Sequence, residues 1–260
     1  MDSTHRVALV TGGTSGIGLS VVRTLAQAGH AVYLCGRNAD RVAEVTKGLA
    51  DEGLHVDGTT CDVTARDQIP GLVRAAVDRF GPIEILVNNA GRGGGGVTAE
   101  LPDALWDDVI ATNLTGTFLV TREVLAAGGL RERTWGRIVN IASTGGKQGV
   151  VLAAPYSASK HGVVGFTKAL GLELAKTGIT VNAVCPGYVE TPMAVRVREG
   201  YADHWGITTD DVLERFNAKI PLGRYTQPDE VAALVGYLVS TAADPVTAQA
   251  INVCGGLGNY

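Results

Sequence analysis

The most informative part of this chain is a glycine-rich segment near its start, Thr11-Gly12-Gly13-Thr14-Ser15-Gly16-Ile17-Gly18. It joins an apolar, strand-like run at 6–11 to an amphipathic run at 17–28. Gly12 permits the turn, Gly16 lets the main chain approach a pyrophosphate, and Gly18 allows close packing of helix on sheet. The helix N-terminus would then offer free N–H groups and a positive dipole to phosphate. The segment predicts a dinucleotide site, with an ordinary glycine-rich turn as the alternative.

Away from this segment, short apolar runs alternate with longer amphipathic ones. The predicted strands are 6–11, 31–36, 56–61, 83–88, 137–141, 180–185 and 250–253, and the predicted helices are about 17–28, 39–52, 66–80, 102–127, 154–176 and 227–239. Several strands are apolar on both faces, which suits a parallel sheet covered by helices on each side. The sequence therefore predicts one α/β domain over residues 1–260, a Rossmann-type doubly wound parallel sheet of about seven strands.

One stretch, about 192–220, interrupts this alternation because it carries helical signals without a strand. An insertion at the carboxyl end of a strand is where a lid over a substrate would lie. We therefore predict a helical substrate lid there, with His204 and Trp205 packing inside it rather than acting in catalysis.

Composition restricts the class of protein. The chain has 260 residues, of which 45% are hydrophobic and 18% charged, and its net charge is −4. This balance supports a large core and gives no general attraction to nucleic acid or to anionic membranes. Neither a secretory signal nor an apolar run of about 20 residues is visible, so we expect a soluble cytoplasmic protein without a membrane partner.

The four cysteines, Cys35, Cys61, Cys185 and Cys254, stand far apart and form no Cys-x-x-Cys pair. Three of them end or interrupt apolar runs, and no histidine lies at ligand spacing. We predict buried, reduced thiols and no metal site.

The end of the second predicted strand indicates which nucleotide is bound. A carboxylate there would accept hydrogen bonds from a ribose diol, but the sequence is Leu34-Cys35-Gly36-Arg37-Asn38. Arg37 could grip a 2′-phosphate with two hydrogen bonds. The pattern favours NADP(H), with a plain surface arginine as the alternative.

Two asparagine-containing segments follow. Asn88-Asn89-Ala90-Gly91 closes the fourth predicted strand, where its short side chains could hold a cofactor's backbone or simply make a turn. Asn113 lies inside an apolar helical pattern, where its amide competes for main-chain hydrogen bonds. It predicts either a local kink with a bound water or a tolerated core asparagine.

The candidate catalytic groups lie farther along the chain. Tyr156 and Lys160 are four positions apart, so a phenol and an ammonium would project from one helix face. The ammonium would strengthen the phenol as an acid, which suits protonation of an alkoxide formed by hydride attack on a carbonyl. Ser143, after the fifth predicted strand, could donate to that oxygen, although alone it is an ordinary loop serine. His161 has no aspartate partner in view and receives no catalytic role.

Taken in order, the motifs Gly12-x-x-x-Gly16-x-Gly18, Asn88-Asn89-Ala90-Gly91, Asn113, Ser143, Tyr156-x-x-x-Lys160 and Pro186-Gly187 resemble the classical short-chain dehydrogenase/reductase family over essentially the whole chain. The resemblance implies the catalytic set Asn113, Ser143, Tyr156 and Lys160, with Asn113 holding a water that returns protons through Lys160, and a homotetramer. It also implies a nicotinamide cofactor held by Gly12, Thr14, Ser15, Gly16, Ile17, Gly18, Arg37, Asp62, Val63, Asn89, Ala90, Gly91, Tyr156, Lys160, Pro186, Gly187, Val189 and Thr191.

A narrower resemblance, to the actinorhodin-type ketoreductases of aromatic (type II) polyketide synthases, rests on residues 143–150, 92–96 and 253–260. It implies that NADPH reduces one carbonyl, C9, of a poly-β-ketone carried by an acyl carrier protein. The substrate and carrier would meet Arg92, Gly94, Gly95, Thr144, Gln148, Val150 and Tyr201. Where that family has Pro-Gly-Gly after Arg92, this chain has Gly93-Gly94-Gly95, which predicts a more flexible edge.

Two other functions remain open from the sequence. One is a 3-oxoacyl-carrier-protein reductase of fatty-acid type, or another NADP-dependent alcohol dehydrogenase. The other is a cofactor-binding scaffold or regulator without turnover, against which the intact Ser143, Tyr156 and Lys160 argue. Arg92 and Lys147 follow the fourth and fifth predicted strands, so we also expect a basic rim at the mouth of the site that steers an acidic carrier protein.

Overall fold

The chain folds around a seven-stranded sheet in which every neighbouring pair of strands is parallel. The computed structural model describes residues 5–260. The strand order is β3-β2-β1-β4-β5-β6-β7. The strands are β1 Val7–Thr11, β2 Ala31–Gly36, β3 Val56–Thr60, β4 Ile85–Asn88, β5 Gly136–Ile141, β6 Ile179–Pro186 and β7 Ala250–Val253. The order reverses between β1 and β4, and that crevice is where such sheets bind ligands. The predicted fold class is confirmed.

Helices cover both faces of the sheet. They are α1 Gly16–Gln27, α2 Ala39–Asp51, α3 Ile69–Phe80, α4 Asp103–Ile110, α5 Gly116–Ala127, α6 Ala154–Leu174, α7 Pro192–Trp205, α8 Thr209–Asn217 and α9 Pro228–Leu238. Successive residues of β1 enter opposite cores: Ala8 and Val10 join α1, α2 and α9, whereas Val7 and Leu9 join α3, α5 and α6. The strands lack strict polar alternation because both of their faces are buried.

The predicted helix at 102–127 is divided. A π-helical turn, Ala111–Thr115, separates α4 from α5 and contains Asn113, which is 1% exposed. Such single π turns insert a residue into a helix and are frequent at functional sites. The predicted local distortion at Asn113 is therefore observed, and the residue is at the same time a buried asparagine of the core.

The 192–220 stretch forms α7 and α8 and carries its own small core. Tyr188 stacks between Phe216 and Tyr225, with ring centroids 4.5 and 5.3 Å away. Trp205 packs 4.8 Å from the Tyr201 ring, as expected. The expectation for His204 is wrong, because its side chain lies on the exposed side of α7.

All four cysteines are free and buried, as predicted. Within residues 5–260, none of the helices combines the length and the apolar character needed to cross a membrane.

Candidate active site

The glycine-rich turn after β1 has the geometry that phosphate binding requires. Gly12 and Gly16 have φ angles of +64° and +51°. A Cβ on Gly18 would lie 2.2 Å from the Gly12 carbonyl oxygen, so only glycine lets the turn close this tightly. Ser15 begins α1 without a side-chain cap, and the first turn contains no acidic residue. The first N–H groups of α1 are thus left for an anion, and the turn fits a dinucleotide pyrophosphate.

Side chains tie this turn to the end of β4 across the switch in strand order. Asn89 Nδ2 donates to the main-chain oxygens of Thr11 and Gly12, each at 3.0 Å. Thr11 Oγ1 in return accepts from the N–H groups of Asn89 and Ala90, also at 3.0 Å. Asn89 therefore braces the turn, and Thr11, which was not predicted from the sequence, holds the other side of the same connection.

The remaining predicted cofactor residues line the carboxyl edge of the sheet. Thr14 touches the end of β2, since a Cβ on Gly36 would lie 2.8 Å from its Cγ2 atom. Arg37 follows with an exposed guanidinium, and no carboxylate within residues 5–260 forms an ion pair with it. Thr191 caps α7 and lies 3.2 Å from the position of a Cβ on Gly16. The glycine turn and the start of α7 thus face each other.

The other members of this set have mainly structural contacts. Asp62 Oδ1 accepts from the main-chain N–H and the hydroxyl of Thr64 at 2.9 and 2.8 Å, which forms a tight turn after β3. Val63 is buried and Val189 pairs with Thr226 in a parallel bridge. Gly187 N–H donates to the Val253 oxygen at 3.0 Å, so Pro186-Gly187 is anchored to β7.

The predicted catalytic groups converge. Tyr156 and Lys160 lie in the first two turns of α6, whose second residue, Pro155, is in a position where its missing N–H costs nothing. Ser143 lies two residues after the end of β5, and its Oγ atom accepts from Gly145 N–H at 3.0 Å. That bond uses an oxygen lone pair and leaves the hydroxyl proton free to be donated.

Lys160 is an ammonium with little access to water. Its side chain is 5% exposed, and Nζ donates to the Ile141 carbonyl oxygen at 2.8 Å. Burial penalises the charged form and lowers the pKa of Lys160 to about 8, against a smaller opposite effect of Cys185. Near neutral pH this lysine is therefore close to the point at which it exchanges a proton.

The phenol of Tyr156 does not have the lowered pKa that the sequence predicted. Burial raises the pKa of Tyr156, and the hydrogen bond with Ser143 only partly offsets this effect. The nearby Cys185 acts in the same direction as burial, and the Lys160 ammonium lies 5.9 Å from the centroid of the Tyr156 ring. Tyr156 is consequently a protonated acid at neutral pH in this structure.

Asn113 uses its whole side-chain amide within the protein. Its Oδ1 accepts from Arg92 N–H at 2.8 Å, and its Nδ2 donates to the Arg92 oxygen and to Ser159 Oγ, both at 3.0 Å. The amide has no remaining donor for a water. A water-holding role for Asn113 would fall to its main-chain carbonyl, to which Thr117 Oγ1 also donates at 2.9 Å.

Two loops form a wall beside these groups. A Cβ on Gly95 would lie 1.9 Å from the Leu152 oxygen, and Gly96 N–H donates to that oxygen at 2.7 Å. Leu152 has a φ of 59°, which is unusual for a bulky residue and marks a strained position. Gly94 is equally confined, since its Cβ would lie 2.5 Å from Val109 Cγ2. The glycines at 94 and 95 are thus required by close packing.

The other predicted substrate residues belong to the same wall. Thr144 is buried, Gln148 N–H donates to its oxygen at 3.0 Å, and Val150 N–H donates to Ser157 Oγ at 3.2 Å. Tyr201, on α7, donates its hydroxyl to the Val151 oxygen at 2.6 Å. This bond joins α7 to the loop between β5 and α6.

The expected basic rim is wrong for one of its members. Lys147 Nζ donates to the oxygens of Ala250 and Tyr260 and to Asn252 Oδ1, at 3.1, 2.6 and 3.0 Å. It is committed to the C-terminal segment instead of the mouth of the site. Arg92 remains 37% exposed but forms an ion pair of 2.8 Å with Asp108, so its charge is partly neutralised.

Sequence reasoning missed several residues of the site. Thr11 and Ser159 were overlooked because a single hydroxyl in an apolar pattern gives little signal. Leu152 was overlooked because a leucine with positive φ has no sequence signature. Thr11, as a polar end to an otherwise apolar strand, is the one that the pattern could have indicated.

Comparisons with known proteins agree with this geometry. The family model described as short chain dehydrogenase matches residues 6–202. A Streptomyces coelicolor protein named as a ketoacyl reductase is 63% identical over 98% of this chain and 97% of its own length. A ketoacyl reductase of the granaticin polyketide synthase of Streptomyces violaceoruber is 64% identical over 98% of this chain and 93% of its own length.

A solved structure is also similar. A crystal structure of a tryptophan variant of actinorhodin polyketide ketoreductase with NADPH superimposes with a TM-score of 0.96 at 62% identity, covering 99% of each chain. The family resemblance stated from the motifs is confirmed, and its narrower form is supported by these relatives. The chain belongs to the short-chain dehydrogenase family.

Proposed function

We propose that this protein is an NADPH-dependent ketoreductase that reduces one carbonyl, that of C9, in a poly-β-ketone carried by an acyl carrier protein during aromatic polyketide antibiotic biosynthesis. The observation that carries the proposal is the convergence of Ser143, a protonated Tyr156 and a buried Lys160. These groups lie beside the two packed loops that contain Gly95 and Leu152. The similarity to polyketide ketoacyl reductases over nearly the whole chain supports the substrate class.

NADPH, when bound, supplies the hydride to the ketone carbon. The Ser143 hydroxyl donates to the ketone oxygen, where negative charge develops, while its own oxygen stays held by Gly145 N–H. Tyr156 donates its proton to the same oxygen. Because burial keeps this phenol protonated, it acts as a general acid, and Ser143 helps to accommodate the charge left on it.

Lys160 would then return a proton toward Tyr156. With a pKa of about 8, its protonated and neutral forms differ little in free energy near neutral pH, so it can lose and regain a proton. We assign a water on the main-chain carbonyl of Asn113 as the next member of this relay, since the amide of that residue is fully used by Arg92 and Ser159.

The specificity for NADPH is assigned to Arg37. Replacing Arg37 with Glu should raise KM for NADPH by about 10–100-fold and leave KM for NADH much less changed, because a phosphate partner becomes a repelling carboxylate. The measurement is the ratio of kcat/KM values for the two cofactors. Arg74→Glu, an exposed change in the middle of α3, is the control. An unchanged ratio would place the 2′-phosphate elsewhere.

The substrate would enter between the loop wall and α7, which we propose as the substrate lid. Gly94, Gly95, Thr144, Gln148, Val150 and Tyr201 are the residues proposed to meet it. The bond from Tyr201 to the Val151 oxygen joins lid and wall, so opening the lid would require that bond to break.

Arg92 is proposed to attract the phosphodiester of the carrier-bound substrate in competition with Asp108. Arg92→Ala should raise KM for carrier-bound substrate by roughly a few-fold, because an exposed ion pair contributes only a small free energy of binding. The increase should be larger at low salt, where charges are less screened. Kinetics with trans-1-decalone, which has no carrier, should stay nearly unchanged. An equal effect on both substrates would assign Arg92 to cofactor binding or folding instead.

One assay tests the proposed function against its alternatives. NADPH oxidation is measured with trans-1-decalone and with a short 3-oxoacyl thioester. Preference for the bicyclic ketone supports the proposal, and preference for the thioester supports a fatty-acid-type reductase. Oxidation with neither would favour a cofactor-binding scaffold. A cytoplasmic homotetramer completes the proposal, and light scattering of the purified protein tests its assembly state.

A further inference from the structure

Ser159, inside the Tyr156–Lys160 interval, is fully buried and joins two parts of the site. Its hydroxyl donates to the Tyr156 carbonyl oxygen at 2.7 Å and accepts from Asn113 Nδ2 at 3.0 Å. Its exposed fraction is 0%. Since water cannot reach it, each partner of this hydroxyl depends on it for that hydrogen bond.

Through Asn113 the connection continues to the loop after β4. The Asn113 amide accepts a hydrogen bond from the Arg92 N–H and donates one to the Arg92 carbonyl oxygen, as a neighbouring β-strand would. These two bonds fix the path of that loop. A Cβ on Gly91 would lie 3.3 Å from Asn113 Oδ1 and 3.7 Å from Lys160 Nζ. The loop held by Asn113 is therefore packed directly against the ammonium of Lys160.

We propose that Ser159 is a positioning residue for the reduction: its hydroxyl orients the Asn113 amide, which holds the Gly91–Arg92 main chain against Lys160. The proposal rests on the proposed function for its kinetic consequence. Loss of the hydroxyl leaves one N–H of Asn113 unpaired in the interior, so the amide rotates or the loop shifts. Misplacement of groups near the reacting atoms reduces turnover far more than binding.

The same helix contains a matched control. Thr167 is also 0% exposed, donates to the carbonyl oxygen one turn earlier, Val163, at 2.7 Å, and accepts from the buried Asn140 Nδ2 at 2.9 Å. It has the same bonding pattern as Ser159, but it lies two turns farther from Tyr156 and makes no bond to the loop after β4. Thr167→Ala therefore removes an equivalent hydroxyl and leaves the hydrogen bonds between Ser159, Asn113 and Arg92 in place.

The kinetic test compares Ser159→Ala, Ser159→Thr and Thr167→Ala with the wild type, using NADPH and trans-1-decalone. Ser159→Ala should lower kcat on the order of 10-fold with KM for NADPH changed by less than about 2-fold. Thr167→Ala should keep kcat within about 2-fold of wild type, although both alanine variants lose thermal stability. Full kcat in Ser159→Ala, or an equal loss in Thr167→Ala, would overturn the proposal.

Ser159→Thr keeps the hydroxyl and should keep most of the wild-type kcat. A double-mutant cycle covers the case in which the added methyl group cannot pack in this buried position. If Ser159 acts through Asn113, Ser159→Ala should add nothing to the loss already caused by Asn113→Ala. Independent, multiplying losses would contradict the proposed connection.

A measurement without turnover separates this proposal from the proposed function. Hydrogen–deuterium exchange of peptides covering 89–97 should rise in Ser159→Ala, since the Arg92 N–H loses a fixed acceptor, and should stay at the wild-type level in Thr167→Ala. Unchanged exchange in Ser159→Ala would overturn the positioning role. A wild-type protein that oxidises no NADPH with either ketone would instead contradict the proposed function and leave the exchange result valid.

Discussion

Replacement of Tyr156 with Phe should reduce turnover by about 10²–10⁴-fold, the usual effect of removing a general acid. The change deletes one hydroxyl and keeps the ring. Ser143 loses its partner on that side but keeps its hydrogen bond from Gly145 N–H, so the loop after β5 has no reason to move. NADPH affinity should therefore stay nearly intact.

The measurements for this variant are kcat with trans-1-decalone and the dissociation constant for NADPH from fluorescence titration. Tyr33→Phe is the matched control, because Tyr33 is also a buried tyrosine but lies in the core, packed 6.3 Å from the Phe80 ring. Retention of most activity by the Tyr156 variant would overturn the assignment of the acid. A parallel loss in the Tyr33 variant would indicate damage to the fold.

Replacement of Lys160 with Met should have opposite effects on activity and stability. Turnover should fall by about 100-fold or more because the group next to the acid can no longer supply a proton. Stability at pH 7 should rise, because a buried ammonium is removed. A pKa lowered from 10.5 to about 8 corresponds to roughly 3 kcal/mol. Loss of the hydrogen bond to the Ile141 oxygen offsets part of this, leaving about 1 kcal/mol or more.

The difference in stability between Lys160→Met and the wild type should depend on pH in a defined direction. Below about pH 8 Lys160 is protonated in the folded and the unfolded chain, so the folded protein carries the full penalty. Between pH 8 and about 10.5 the unfolded chain still binds the proton and the folded protein does not, so wild-type stability rises relative to the variant. The advantage of Lys160→Met should therefore be largest below pH 8 and shrink as the pH rises.

Thermal unfolding at pH 6, 7, 9 and 10 measures this difference, and about 1 kcal/mol corresponds to a shift in Tm of roughly 2–4 °C. Lys168→Met is the control, since Lys168 lies on the exposed side of the same helix. A Lys160 variant that is less stable than the wild type at every pH would contradict the assignment of a strained, buried ammonium.

The fold was predictable to within a few residues because its signals are local. The apolar runs that pack on both faces identify parallel strands, and the glycines at 12, 16 and 18 identify a turn that only glycine can make. The largest shift in a helix start is at α3, which begins at Ile69 rather than 66, because Asp62 and Thr64 form a turn after β3.

The proximity of Tyr156 and Lys160 was also predictable, since four positions on one helix place two side chains on the same face. The partners of polar side chains were not predictable. Lys147 was expected at the mouth of the site, but it binds oxygens of residues more than 100 positions away in the chain. No local pattern specifies which distant main-chain oxygen a lysine will find.

The amino-acid sequence by itself determined the order of strands and helices, the glycine-rich turn after β1 and the placement of Tyr156 and Lys160 on one helix face. Each of these depends on spacing within a short segment. Tertiary structure alone decided the pKa values of Tyr156 and Lys160 and the bonding of Asn113. These properties depend on how completely water is excluded and on which groups from other strands and helices replace its hydrogen bonds. Burial and partner choice arise only when distant segments pack together.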